Sequence, residues 1–501
     1  MRSFKVATTI LTALLPALAA LPGRAASDCD ATRPAVAHHA GARLISNPGP
    51  APYPCLYRTG FEGWEPSLGV DAAGTIFVNG DRTFTGNAVP RPAVLRSTDG
   101  GITWKVASPH IGTVRTHQVS LDPYLYVDKV TGRVFSDDIV PPGCSFFSFT
   151  DDGGKRWTNT LTGCEQADHE TVFAGRPVWS RTIGYPNVVY RCAIGGGQTA
   201  AASTVSICSK SLDGGMTFIP SGAPPFTDDP RQRKGDLGIR GHCDGPHGHG
   251  FAGPDGTIYL PRGWCGQPWL AISRSEGLTW KRVRVATNGM ALSDDGIWEH
   301  EAGVAADADG DLYYVWLARD RLPYLAISRD RGAHWSAPMM VAPPGVRETA
   351  LPGIDIGPDG RIAIVYIGST NSPGPPFAEC DAVSPACVHN LLVATDPALV
   401  AKYRDVTWNG YISLTFDPLA TDPIFYSASV NDPADPIARG VCGPTTQACS
   451  QGDFLDIVVA GDGTPWASFI DGCERSCVHP ATEGDKQENG HDGLVGRLAG
   501  L

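Results

Sequence analysis

Past its first 26 residues the chain has no long apolar run, no basic stretch, and no two close pairs of cysteine or histidine at recurring spacing. The first absence excludes a further membrane-crossing helix. The second, in a chain of formal net charge −12, excludes nucleic acid as a partner, because nothing offsets repulsion of a phosphate backbone. The third disfavours a structural zinc site; only Cys473 and Cys477 stand close enough to begin one. No familiar catalytic motif is intact either.

What the chain does have begins at its N-terminus. Arg2 and Lys5 precede an apolar run from Val6 to Leu21, and small residues follow around Ala25 and Ala26. This is the pattern of a secretory signal, expected over residues 1–26, and Pro16 and Pro22 argue against a membrane anchor. A secreted protein, extracellular or periplasmic, is therefore expected, with no membrane span after cleavage. Without Arg2, Lys5 and Arg24 the mature chain carries about −15. The 14 cysteines suit an oxidising compartment, and their neighbours in sequence suggest seven local pairs. These are Cys29–Cys55, Cys144–Cys164, Cys192–Cys208, Cys243–Cys265, Cys380–Cys387, Cys442–Cys449 and Cys473–Cys477.

One eight-residue motif recurs five times. Its first copy is Ser97, Thr98, Asp99, Gly100, Gly101, Ile102, Thr103, Trp104; the others close at Trp157, Phe218, Trp280 and Trp335. The fourth has Ser275 in place of the acid and the fifth His334 in place of threonine. Hydroxyl and carboxylate side chains bond nearby backbone, glycine supplies positive φ, and the aromatic enters the next strand, so each copy predicts a hairpin turn. The closing aromatics lie 53, 61, 62 and 55 residues apart, which suggests one four-stranded sheet per repeat. A strand, turn, strand unit opens each repeat, at Glu65–Val78, Asp122–Phe135, His169–Gly175, His247–Leu260, Glu301–Val315, Leu351–Val365 and Leu455–Phe469. Within the fifth of these, Asp307, Asp309 and Asp311 imitate a calcium loop, but they sit where every repeat turns and lack the distal glutamate. A sixth motif is expected to degenerate between Ala394 and Trp408, and the last repeat ends one strand short at Leu501. Ala42–Ser46 is the expected replacement strand.

The motif resembles the Asp box of the sialidase-like superfamily, S-x-D-x-G-x-T-W. That resemblance implies an all-β, seven-bladed β-propeller of four-stranded antiparallel blades with Asp-box turns, or alternatively the six-bladed propeller of sialidases. It also implies that the boxes lie on the face away from the active site. An N-terminal arm, 27–60, is expected to help close the ring, and 61–501 to form the propeller, with insertions near 195–243 and 369–449.

In a propeller the first strands converge on a central channel. Their leading residues include Glu65, Asp122, His169, His247 and Glu301, the expected catalytic candidates, since crowded carboxylates and imidazoles shift one another's proton affinity. Arg82, Arg262, Trp264 and Trp316 are the expected substrate-binding residues, suited to an acidic sugar. Of these, Arg82 is the position where the resemblance implies a clamp arginine. In sialidases the first strand opens with Arg-Ile-Pro, whereas Glu65, Pro66, Ser67 stand here. True sialidase activity is accordingly the less favoured expectation. His247, His249, His169 and His300 offer ligands for a divalent metal in the channel. These features predict a monomeric carbohydrate-active propeller acting on an extracellular glycan or polysaccharide. Hydrolysis by two carboxylates, eliminative cleavage by a histidine base, and non-catalytic binding of glycan or protein remain open.

Overall fold

The computed structural model describes residues 28–46, 49–80, 94–111, 114–115, 123–140, 144–163, 168–195, 205–226, 247–264, 266–290, 302–374, 401–440, 451–452, 454–473 and 492–501. Within them the chain is an all-β propeller of four-stranded antiparallel blades. Described in chain order of their innermost strands, the sheets begin with Leu68–Val70, Pro123–Val127, Asp168–Gly175, Phe251–Ala252, Gly303–Ala306, Glu348–Ile356 and Asp456–Val459. All seven repeat openings of the sequence coincide with these strands.

The middle strands read as unbroken apolar runs because sheets cover both their faces. Leu312–Leu317 (LYYVWL) and Ile362–Ser369 (IAIVYIGS) are buried along their whole length. The fourth strands are short and partly exposed, as at Lys105–Val106 and Met339–Met340, which limits the open edge each sheet presents.

A hydrogen bond or ion pair links each sheet to the next. Leu125 N donates to Ser67 Oγ (2.8 Å) between the first and second, and Arg191 pairs with Asp137 between the second and third. Gly250 N donates to Thr171 Oγ1 (3.0 Å) between the third and fourth, and Tyr314 OH to Trp269 O (2.8 Å) between the fourth and fifth. Thr349 Oγ1 donates to Arg321 O (2.7 Å), and Val459 N to Asp355 Oδ2 (2.7 Å). Leu68 N then donates to Asp456 Oδ2 (3.1 Å), joining the last sheet to the first. The inner strands pack so closely around this axis that a Cβ at Gly69 would lie 2.3 Å from Val127, and one at Gly250 2.1 Å from Phe173.

Ring closure departs from the expectation in detail. The outer strand missing from the last repeat is Tyr53–Glu62, which pairs with Asp492–Ala499, whereas Arg43–Leu44 hairpins with Val36–His39 on the outside of the sixth sheet. The longer segment alternates buried Cys55, Tyr57 and Thr59 with more exposed Leu56, Arg58 and Gly60. The two expected insertions are also smaller. Val205–Ser211 and Ile219–Pro220 are third and fourth strands of the third sheet, and Thr407–Thr415 and Ile424–Ser429 those of the sixth. Trp408 therefore lies inside a strand and closes no box; the corresponding turn is at 416–423, and Ala394 falls outside the described residues.

Cys29–Cys55 and Cys192–Cys208 are disulfides between register partners on neighbouring strands, and Cys473 is also disulfide-bonded. The remaining expected pairs lie at least partly outside the described residues, as does the signal segment. Among the described residues no helix is long and apolar enough to cross a membrane.

Candidate functional site

At the head of the inner strands the backbone is unusual. Glu65 (φ 47°), His169 (φ 51°) and Leu351 (φ 56°), which occupy equivalent positions in the repeats, are all left-handed without being glycine. In the third and sixth sheets the conformation belongs to a bulge, where register shifts between Asp168 and Thr171 and between Ala350 and Gly353. Bulges of this kind redirect side chains, and conformations costing about 1–3 kcal/mol each persist only where neighbours hold them. In the first sheet the holder is Asn79. Its Nδ2 donates to the carbonyls of Trp64 (2.9 Å) and Glu65 (2.8 Å), and its Oδ1 accepts Ser67 N (2.8 Å).

Five rings from four sheets meet at this end of the channel. Phe454 is the hub, with His249 at 4.8 Å, His169 at 5.6 Å and Tyr124 at 5.8 Å between ring centres, all edge to face. Tyr124 and His249 are 4.9 Å apart, and His169 and His247 6.0 Å. Among the described residues no group of three or more His, Cys, Asp or Glu could hold a metal ion, and His300 lies outside them.

His247 is fully buried, and its Nδ1 lies 3.1 Å from Gly248 O. A carbonyl can only accept, so Nδ1 carries the proton and Nε2 keeps its lone pair. Burial, followed by the neighbouring His169, holds the ring's proton affinity well below the ordinary histidine range, so it is neutral at pH 7. His249, two residues on, retains 21% side-chain exposure and lines the central cavity of about 870 Å³ together with Tyr124 and Asp456. Its Nδ1 is 3.8 Å from Asp456 Oδ1. That carboxylate is fixed by Ile457 N (2.9 Å) and Leu68 N (3.1 Å). Nε2 of His249 is buried with no hydrogen-bond partner among the described residues.

Two other carboxylates near this end are paired with arginines. Asp137, opposite Tyr124 in register, is buried against Arg191 and accepts Ser145 Oγ. Burial raises its proton affinity and the Arg191 guanidinium opposes that shift. Glu348 pairs with Arg321 at 3.3 Å and accepts Ser372 Oγ. Beyond the other end of the inner strands, Lys129 joins the second sheet to Asp355 of the sixth and donates to Val459 O of the seventh (3.3 Å).

The structure thus brings His169 and His247 together and places Glu65 buried at the head of its own sheet, with Gly452 against its side chain. Asp122, Glu301 and Arg82 lie outside the described residues. Arg262 is bridged in register to His247 but is fully buried, donating to Ser206 Oγ (3.3 Å). Trp264 and Trp316 are packing residues rather than open platforms. Trp264 stands 5.4 Å from Trp269, while Trp316 lies between Tyr314 and Tyr324 and donates to Gly289 O (3.3 Å). Their position on middle strands, covered on both faces, explains the burial.

On the opposite turns each box satisfies itself. Ser97 Oγ accepts Gly101 N (2.9 Å) and donates to Asp99 Oδ1 (2.8 Å), while Asp99 accepts Thr103 N (2.9 Å) and Thr103 Oγ1 (2.6 Å). Gly100 and Gly101 are both left-handed, and Trp104 Nε1 donates to Gly101 O (2.9 Å). Residues 95–106, which contain this copy, match the family model of the BNR/Asp-box repeat. The chain is thus a propeller whose turns carry Asp boxes. No curated protein sequence matches it.

Among solved structures the Asp-box propeller is similar to a protein of unknown function from Dyadobacter fermentans DSM 18053, at 13% identity over 93% of this chain and 98% of that one, TM-score 0.40. It is similar to the NanB sialidase of Streptococcus pneumoniae, at 13% identity over 91% of this chain and 73% of that one, TM-score 0.39. A third is the α-L-arabinofuranosidase Arb93A of Fusarium graminearum, at 13% identity over 69% of this chain and 93% of that one, TM-score 0.38.

Sequence reasoning missed Tyr124, Phe454 and Asp456 in the Asp-box propeller. Tyr124 and Asp456 stand two and one places after the aligned leading residues, and Phe454 one before, so an alignment that ranked every position of the strand heads for aromatic and acidic residues would have found them.

Proposed function

We propose that the protein is a secreted carbohydrate-active enzyme that cleaves a uronic-acid polysaccharide by elimination, with His249 as the base. One observation carries this: a partly exposed imidazole on the wall of the central cavity, 3.8 Å from a carboxylate that backbone amides hold in place. The carboxylates Asp137 and Glu348, by contrast, are tied to arginines, which disfavours them as a hydrolytic pair. The exposed edge of the His249 imidazole takes the proton from the carbon bearing the carboxylate. The resulting electron pair forms the ring double bond as the neighbouring glycosidic C–O bond breaks, and the departing oxygen takes the proton back from the His249 imidazolium, which restores the neutral base. Tyr124 and Phe454 flank the base edge to face.

The test is incubation with polygalacturonate, alginate and hyaluronan, reading ultraviolet absorbance of unsaturated products beside reducing ends. Unsaturated product that falls by about 100-fold or more in His249→Ala supports the proposal. Reducing ends without unsaturation would make the protein a hydrolase, and neither signal would leave a binding propeller.

A further inference from the structure

The fourth box departs from the others in a way that builds a surface. Ser275 Oγ takes the role of the missing acid, accepting Thr279 N (3.0 Å), and the left-handed position that is Gly100, Gly153 and Gly214 in the first three boxes is Glu276 (φ 51°). Its carboxylate leaves the turn and reaches the 176–187 connection of the third sheet. Oε1 accepts Val178 N (2.8 Å), Trp179 N (2.8 Å) and Ser180 N (3.0 Å), and Oε2 accepts Lys210 Nζ (2.9 Å) and Ser180 Oγ. Burial alone would raise this acid, but these bonds outweigh it and bring Glu276 down to about 2. Trp179 is thereby held rigidly while remaining 74% exposed, its Nε1 donating to Arg274 O (3.0 Å).

Beside it lies a second cavity, of about 290 Å³, lined by Arg274, Lys281, Arg331 and Trp280. All three cations are exposed, and Arg176 and Arg181 on the Trp179 connection are exposed as well. The acids near them are Asp255, paired to Arg331 at 3.1 Å, Glu276, neutralised by Lys210, Asp330, paired to His334, and those of the 307–311 turn against which Arg331 packs. In a chain of net charge −12 this is a locally cationic face around a fixed indole.

We propose that Trp179 and the Arg274–Lys281–Arg331 cavity form a second carbohydrate site, on the box face, which binds a carboxylated polysaccharide without cleaving it. The indole stacks on a sugar ring and the cations pair with its carboxylates. A single-stranded nucleic acid would use the same stacking and ion pairing, so it is the competitor that tests the choice. The site stands independently of chemistry at the mouth.

Affinity electrophoresis in gels containing polygalacturonate tests it, in a His249→Ala background so that the probe is not consumed. Retardation is expected to weaken at least tenfold in Trp179→Ala and in the double variant Arg274→Glu/Lys281→Glu. It should weaken likewise in 0.3 M salt and with fully methyl-esterified polygalacturonate, which stacks but carries no charge. With His249 intact, Arg274→Glu/Lys281→Glu should form product from short oligosaccharides at the unaltered rate, so loss at one site is distinguishable from loss at the other. Unchanged retardation in the patch variants, equal binding of the neutral polymer, or equal competition by a single-stranded oligonucleotide would overturn the proposal.

Discussion

At the scale of single residues, the side chains that set the site's geometry are mostly not those expected to do chemistry. Asn79 is not among the residues lining the central cavity, yet it bonds the Trp64 and Glu65 carbonyls that the left-handed Glu65 turns out of the sheet. Asn79→Ala leaves buried backbone acceptors unpaired and should cost about 1–3 kcal/mol in chemical denaturation. Trp316→Ala should cost about 3–5 kcal/mol, because the ring is enclosed; a substrate-binding role would instead change affinity and leave the denaturation midpoint alone. Both expectations show the limit of reading residue types. A tryptophan near a strand head is the same letter whether it faces a channel or a neighbouring sheet, and only the packing of two sheets decides which.

At the scale of elements, the boxes were legible because their chemistry is local: hydroxyl, acid, two left-handed residues and an aromatic close the turn within eight positions. Ser97 Oγ is buried and accepts a backbone donor four residues on, so Ser97→Ala should destabilise by about 1–2 kcal/mol in thermal or urea unfolding. Glu276 shows how far a local rule stretches. One substitution in the fourth box frees an acid to clamp a different sheet. Because its proton affinity is lowered in the folded state, the clamp is fully present above the ordinary glutamate range and is lost as pH falls toward 2. Hydrogen-exchange protection of the Val178, Trp179 and Ser180 amides, taken relative to the intrinsic rate at each pH, should fall over that interval, and Glu276→Gln should lower it at neutral pH.

At the scale of the molecule, stability depends on closing the ring and on keeping charge out of its centre. Deleting 28–62 removes the outer strand on Asp492–Ala499 and exposes a long edge, so the truncated chain should aggregate rather than refold. His247 is held neutral in the folded protein while an unfolded histidine titrates near 6.5. Below that pH the unfolded chain binds a proton that the native state refuses, so stability should fall by up to about 1.4 kcal/mol per pH unit. His247→Gln should flatten that slope in urea titrations between pH 6.5 and 5.

The repeat period, the box turns, the strand openings and the pairing of Cys29 with Cys55 and Cys192 with Cys208 were determined by the sequence alone, since each rests on residues close together in the chain. Only the tertiary structure decided that Tyr53–Glu62 supplies the last outer strand, that Trp264 and Trp316 are core, and that His249 rather than His247 meets the cavity. Those outcomes depend on which face of one sheet the next sheet covers, and on Phe454 and Asp456 arriving from the far end of the chain beside His249. No pattern within a single strand encodes that contact.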